Sequence, residues 1–242
     1  MCKRKEYNVN FSQYLEEVIF GIVYASFSDF VSNYILYFKK EFPETSFRER
    51  VISQYEEQIV DIDDIATDLN LTLEDVLQEK IYVLNLNLKG YDFTVFIGRQ
   101  YLVIRVKLSG KDLSDECIES LEKMLNTQSI AENIEIVDFN CRMLHSIISP
   151  SEKELGDILD MGVFTGIEAD IKNSRYVDTY LYGDYHISLI RELRDVKLED
   201  NTSAVFANIL CSFSAEIKNS YSKEDIKSYI NCLKQETTQC FA

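Results

Sequence analysis

The sequence predicts an α+β fold made of two successive units. Each reads strand, helix, three strands, helix, and each is expected to form its own antiparallel sheet with helices on one face. Three observations carry this pseudo-duplicated reading. Apolar residues alternate with polar ones from Ile81 to Leu108, and strand-like runs recur from Tyr176 to Ile217. Stripes at helical spacing, opened by Ser114, Ser151 and Ser222, punctuate those runs. Only 8 Gly and 2 Pro occur among 242 residues, so no flexible linker separates independent pieces.

The first element is Val18-Ile19-Phe20-Gly21-Ile22-Val23-Tyr24, nearly continuous in apolar and β-branched residues, as a strand buried on both faces requires. Ser28 stands at the cap position of a helix over Asp29 to Glu41, where Phe30, Tyr34 and Phe38 recur every four residues; Pro43 stops it. Val51 to Tyr55 reads as a short strand and Thr72 to Gln78 as a short helix. From Ile81 the period becomes two. Leu84, Leu86 and Leu88 share one face, then Tyr91, Phe93, Val95 and Ile97 after Gly90, then Leu102, Ile104, Val106 and Leu108 after a turn at Gly98-Arg99-Gln100. Three such strands joined by tight turns make a meander. Ser114 then opens a helix with Ile118, Leu121 and Leu125 in a stripe.

The second unit opens with a strand over Ile134 to Ile148, irregular near Asn140-Cys141-Arg142. Ser151 and Glu154 form a capping box for a helix with Leu155, Ile158 and Leu159. Strands are expected at Tyr176 to Tyr182, Tyr185 to Arg191 and Ser203 to Ile217, and Ser222 caps a last helix with Ile226, Tyr229, Ile230 and Leu233 on one side. The first unit then spans 1–130, with an insertion at 44–80, and the second 131–242, packed together as one body.

The net charge is −16, from 41 acids against 25 bases. Such a surface repels nucleic-acid phosphates and anionic membranes, and attracts basic protein surfaces. Residues 51–79 hold nine acids and no Lys or Arg, with Ile59, Val60, Ile62, Ile65, Leu69, Leu71, Leu73 and Val76 threaded between them. Within that run Asp61, Asp63, Asp64, Asp68, Glu74 and Asp75 are the expected partner-binding residues: charge speeds encounter and the apolar neighbours supply affinity. The same run also reads as a solvated insertion whose apolar residues pack onto the core.

Asp61, Asp63 and Asp64 start like a calcium loop but lack its turn Gly and terminal Glu. Six cysteines, at positions 2, 117, 141, 211, 232 and 240, show no CxxC pair, and neither His145 nor His186 has a ligand at zinc spacing. Cys141 and His145, four residues apart on one strand, lie ~13 Å from each other, beyond proton transfer. Glu216 and Lys218, with Asp195 or Asp200, resemble a metal-dependent nuclease set, although Glu-x-Lys recurs by composition alone. No catalytic residue, metal ligand or cofactor is therefore assigned. The N-terminus lacks a signal-peptide apolar run, no stretch reaches the length of a membrane span, and the thiols suit a reducing cytoplasm.

Three stretches carry a resemblance: Glu17-Val18-Ile19-Phe20-Gly21-Ile22-Val23 running to Glu41-Phe42-Pro43; Gly90-Tyr91-Asp92-Phe93 with Leu102-Val103-Ile104-Arg105; and Cys141-Arg142-Met143-Leu144-His145-Ser146-Ile147. In this order of elements the chain resembles a sporadically distributed family of uncharacterised bacterial proteins of similar length. That family's strand carries an Arg-Tyr-Ile-Asn-like run where this chain has Arg142-Met143-Leu144-His145. The resemblance implies an architecture and a bacterial or phage origin, and no reaction.

Three functions follow as expectations. The first is a non-catalytic acidic protein that binds a basic protein partner, as an inhibitor, toxin-neutralising or defence-accessory protein, without direct nucleic-acid or membrane contact and compatible with self-association. The second is a small-ligand sensor whose pocket is rimmed by Tyr180, Tyr182 and Tyr185. The third is the nuclease.

Overall fold

The structure, a computed structural model, describes residues 13–25, 30–43, 46–50, 81–98, 100–108, 111–126, 135–160, 174–182, 185–198 and 201–241. The short strand and helix expected within 51–79, and the six partner-binding acids there, lie outside the described residues.

The elements in chain order are β1 (Gln13–Tyr24), α1 (Phe30–Glu41), β2 (Ser46–Arg50), β3 (Ile81–Leu88), β4 (Tyr91–Ile97), β5 (Tyr101–Lys107), α2 (Asp115–Leu125), β6 (Ile136–Ser149), α3 (Glu152–Gly156), β7 (Ser174–Tyr182), β8 (Tyr185–Lys197), β9 (Ser203–Ser214) and α4 (Lys223–Thr238). The class is α+β, as expected. The two sheets are not found: the strands hydrogen-bond in one antiparallel sheet, ordered β2-β3-β4-β5-β1-β6-β9-β8-β7. The first strand of each run, β1 and β6, lies next to the other in that order, where the alternation pattern had placed each in a separate sheet. Period-two patterning reports which face of a strand is apolar and says nothing about which strand lies beside it.

Two compact units divide the chain, one built from Glu17–Arg142 with Phe213–Asn231, the other chiefly from Met143–Ser212 with Cys232–Ala242. In the first, the expected meander forms, with Leu84 opposite Val95 and Val95 opposite Ile104. The β3–β4 turn is Lys89-Gly90, at φ 53 and 79, the two positive values that a tight hairpin of right-handed twist requires. The β4–β5 turn needs glycine for a different reason: a Cβ on Gly98 would sit 2.3 Å from the Tyr101 ring. Helices α1 and α2 meet where the buried Tyr34 hydroxyl donates to the Met124 carbonyl at 3.0 Å. Phe139 of β6 centres an aromatic cluster, stacked on Tyr221 at 4.1 Å and near Phe20 and Tyr229.

Three of the four expected serine caps form, and the fourth, Ser28, lies outside the described residues. Ser114 Oγ accepts from Cys117 N–H at 3.2 Å, Ser151 Oγ from Glu154 N–H at 3.3 Å, and Ser222 Oγ from Asp225 N–H at 3.2 Å. Asn126, at the C-cap of α2, accepts from Tyr221 N–H at 2.7 Å and donates to the Tyr221 carbonyl at 3.1 Å, so one side-chain amide pairs with the loop ahead of α4 as a strand would. No disulfide joins the described cysteines. No helix among the described residues is long and apolar enough to cross a membrane.

Candidate functional site

In the second unit, β7 and β8 form a hairpin with Tyr176 opposite Arg191, Asp178 opposite Leu189 and Tyr180 opposite Ile187. Residues opposite one another in a sheet share a face, so Asp178, Tyr180, Leu189 and Arg191 project to one side. Asp178 and Arg191 are diagonal neighbours there and form an ion pair. The end of α4 and the turn after it bring Glu236 and Gln239 to the same place. Together with Thr179 these six residues line an open cleft of about 420 Å³.

The electrostatics of the cleft are uneven. Arg191 is largely buried, its side chain 11% exposed, and is held by Asp178, which is 54% exposed. Glu236 is 8% exposed and accepts a hydrogen bond from the Tyr180 hydroxyl. Burial and that carboxylate push the Tyr180 phenol above its ordinary value, so it stays protonated and donates. Beneath the cleft, burial pushes the Cys211 thiol up to about 12, with Cys232, Glu236 and Cys240 adding to the effect. Burial likewise raises Cys240 to about 11. These thiols are neutral at ordinary pH and poor nucleophiles.

Glu236 reaches the cleft because of its helix position. Ile226, Tyr229, Ile230, Leu233, Glu236, Thr237 and Cys240 recur every three or four residues, and all seven are buried. A Glu on the apolar stripe of an amphipathic helix is the signal that sequence reading passed over. Thr237, beside it, donates back to the Leu233 carbonyl at 3.0 Å and touches the Met143 sulfur at 3.5 Å, seating this turn on β6.

Of the three tyrosines expected to rim a pocket, Tyr180 does so. The Tyr182 side chain lies outside the described residues, and half-buried Tyr185 is not on the cleft wall. His145 is buried with Phe241 packed edge-on against its ring at 5.0 Å, and His186 is exposed on β8 opposite Leu181.

The nuclease residues are placed otherwise than their pattern suggested. β9 ends at Ser214, so Glu216 and Lys218 sit in the loop before α4 and not at a strand end. The reason is local: Lys218 N–H donates to the Tyr221 hydroxyl at 3.3 Å, and Lys218 Nζ bonds Asp225 at 2.6 Å. Asp225 also accepts from Ser222 N–H and Oγ, and Lys218 foremost holds its carboxyl below the usual range. The lysine thus completes a helix cap. Glu216 and Asp195 are exposed, and Asp200 lies outside the described residues.

No family model and no curated protein matches the chain.

Proposed function

We propose that this chain is a non-catalytic binding protein that acts by stoichiometric association with a basic protein partner. A cytoplasmic inhibitor, toxin-neutralising or defence-accessory protein of bacterial or phage origin fits that reading. The observation that carries it is the charge distribution: nine acids and no bases in 51–79, within a chain of net charge −16. A negative field of that density accelerates encounter with a basic surface, and the interspersed Ile, Leu and Val residues supply the contact that outlasts the encounter. Asp61, Asp63, Asp64, Asp68, Glu74 and Asp75 are the docking residues on this reading. The repeated element order is read as a pseudo-duplication, supported by β5 lying next to β1 as β9 lies next to β6.

The test is capture from a bacterial lysate by the full chain and by an Asp61→Lys, Asp63→Lys, Asp64→Lys variant. A partner retained in 1:1 ratio at low salt, released as salt rises and lost from the variant is the expected result. Retention that ignores both salt and charge reversal sinks the assignment.

A second reading is favoured by a specific observation, the cleft bounded by Tyr180, Arg191 and Glu236. Its volume suits a small molecule or one protein side chain, and its polar groups converge beside the Tyr180 ring and Leu189.

A further inference from the structure

Glu236 is more than nine-tenths buried, yet among the described residues its hydrogen-bond donor is a neutral phenol. Buried carboxylates are ordinarily paired with a cation, because the cost of leaving water is otherwise uncompensated. The cation among the described cleft-lining residues, Arg191, is engaged by Asp178. Among the described residues that line the cleft, Glu236 is thus the most buried acid and has no cation of its own. The wall beside it offers the Tyr180 ring, whose π-face attracts cations, Leu189 for an alkyl chain, and the Gln239 amide at the exposed rim.

We infer that this cleft is a seat for an alkylammonium group, with Glu236 as its counter-ion, Leu189 and Tyr180 along its methylenes, and Tyr180 fixing the carboxylate. The inference rests on the reading of the cleft as a ligand site and names the ligand's chemistry. The ammonium could be that of a free small amine or of a lysine side chain on a basic protein. The Asp178–Arg191 pair lies on the same hairpin face as Tyr180 and Leu189.

Titrations followed by amide NMR on the full chain test this directly. The probes are n-butylammonium, n-butanol, butyrate, and a capped Ala-Lys-Ala tripeptide. Butylammonium is expected to shift the amides of Tyr180, Glu236 and Gln239 saturably, while butanol, its neutral counterpart, leaves them in place. Glu236→Gln is expected to weaken that binding by about tenfold or more, the loss of one charge-assisted bond. Gln239→Arg, at an exposed position that does not threaten the fold, places a competing cation at the rim and is expected to weaken it too. Tighter binding of the tripeptide assigns the ammonium to a protein lysine; tighter binding of butylammonium assigns it to a free amine. Equal response to butylammonium and butanol, or undiminished binding in both variants, overturns the inference. Saturable binding of butyrate alone overturns it while leaving the cleft a ligand site, and silence of all four probes removes both.

Discussion

Strand β1 of the first unit and strand β9 of the second show two ways of burying a strand. Along β1 every residue from Val18 to Ile22 is buried, so neighbours that point to opposite faces are both covered. Along β9 buried Ala207, Ile209 and Cys211 alternate with half-exposed Phe206, Asn208 and Leu210. The same half-exposure recurs on β6 at Leu144, Ser146 and Ile148, and on β8 at Ser188 and Ile190. On that face Ser146 donates to Asn208 at 3.2 Å and Arg194 lies over the Phe206 ring at 4.6 Å. The contrast is legible in residue type. Val-Ile-Phe-Gly-Ile-Val is apolar throughout, whereas Phe-Ala-Asn-Ile-Leu-Cys-Ser admits polar residues on one side only. Covering both faces makes a strand intolerant everywhere; covering one leaves a mixed surface that can change at small cost.

Paired alanine substitutions put this contrast to its hardest test. Ile19→Ala and Phe20→Ala, adjacent on β1, are each expected to cost about 2–5 kcal/mol in urea unfolding. On β9 Ile209→Ala is expected to cost as much, and its neighbour Leu210→Ala about 1 kcal/mol or less. A Leu210 penalty equal to that of Ile209 would mean that both faces of β9 are covered, and the distinction between the two strands would fail.

A smaller effect is expected where the first unit ties its helices together without apolar burial. Asn126→Ala removes two hydrogen bonds to Tyr221 and should cost about 1–3 kcal/mol, read as a lowered urea midpoint with unchanged slope. Asn126→Asp keeps the acceptor alone and should fall between the alanine variant and the parent chain.

The smallest effect at neutral pH comes from the feature the two units share, a thiol buried in each. Burial raises Cys117 in one and Cys211 in the other from 9.0 to about 12. A raised folded-state value means that the stability from the neutral thiol is complete below pH 9.0 and is lost as pH climbs toward 12. Urea midpoints measured across that window should therefore fall with pH, and fall less steeply in Cys117→Ala and in Cys211→Ala than in the parent chain. An unchanged slope in either variant would show that its thiol does not titrate with unfolding.

How far the sequence carried the fold depends on the range of the interaction. The Lys89-Gly90 turn, the three serine caps and the strand alternation were legible because each is a contract between residues a few positions apart. Lys218 escaped the same reading for a local reason too: its partner Asp225 lies seven residues on, past the strand end it was expected to occupy. The cleft was half visible. Tyr180 stood out, but Glu236 is 56 residues away, and a lone Glu in a helix reads as solvated until its stripe is traced.

Composition and periodicity were enough for the class, the meander, three of the serine caps and the negative charge, since these follow from side-chain chemistry repeated at a fixed spacing, whereas the edge strand β2 was not read from them. Folding in three dimensions settled the rest: that the strands join in one sheet, that β9 stops at Ser214, and that Glu236 meets Tyr180 beside an Asp178–Arg191 pair. Strand neighbours and buried charges are chosen by the free energy of the whole packed chain, in which distant residues compete for the same partners, and no local pattern encodes the outcome of that competition.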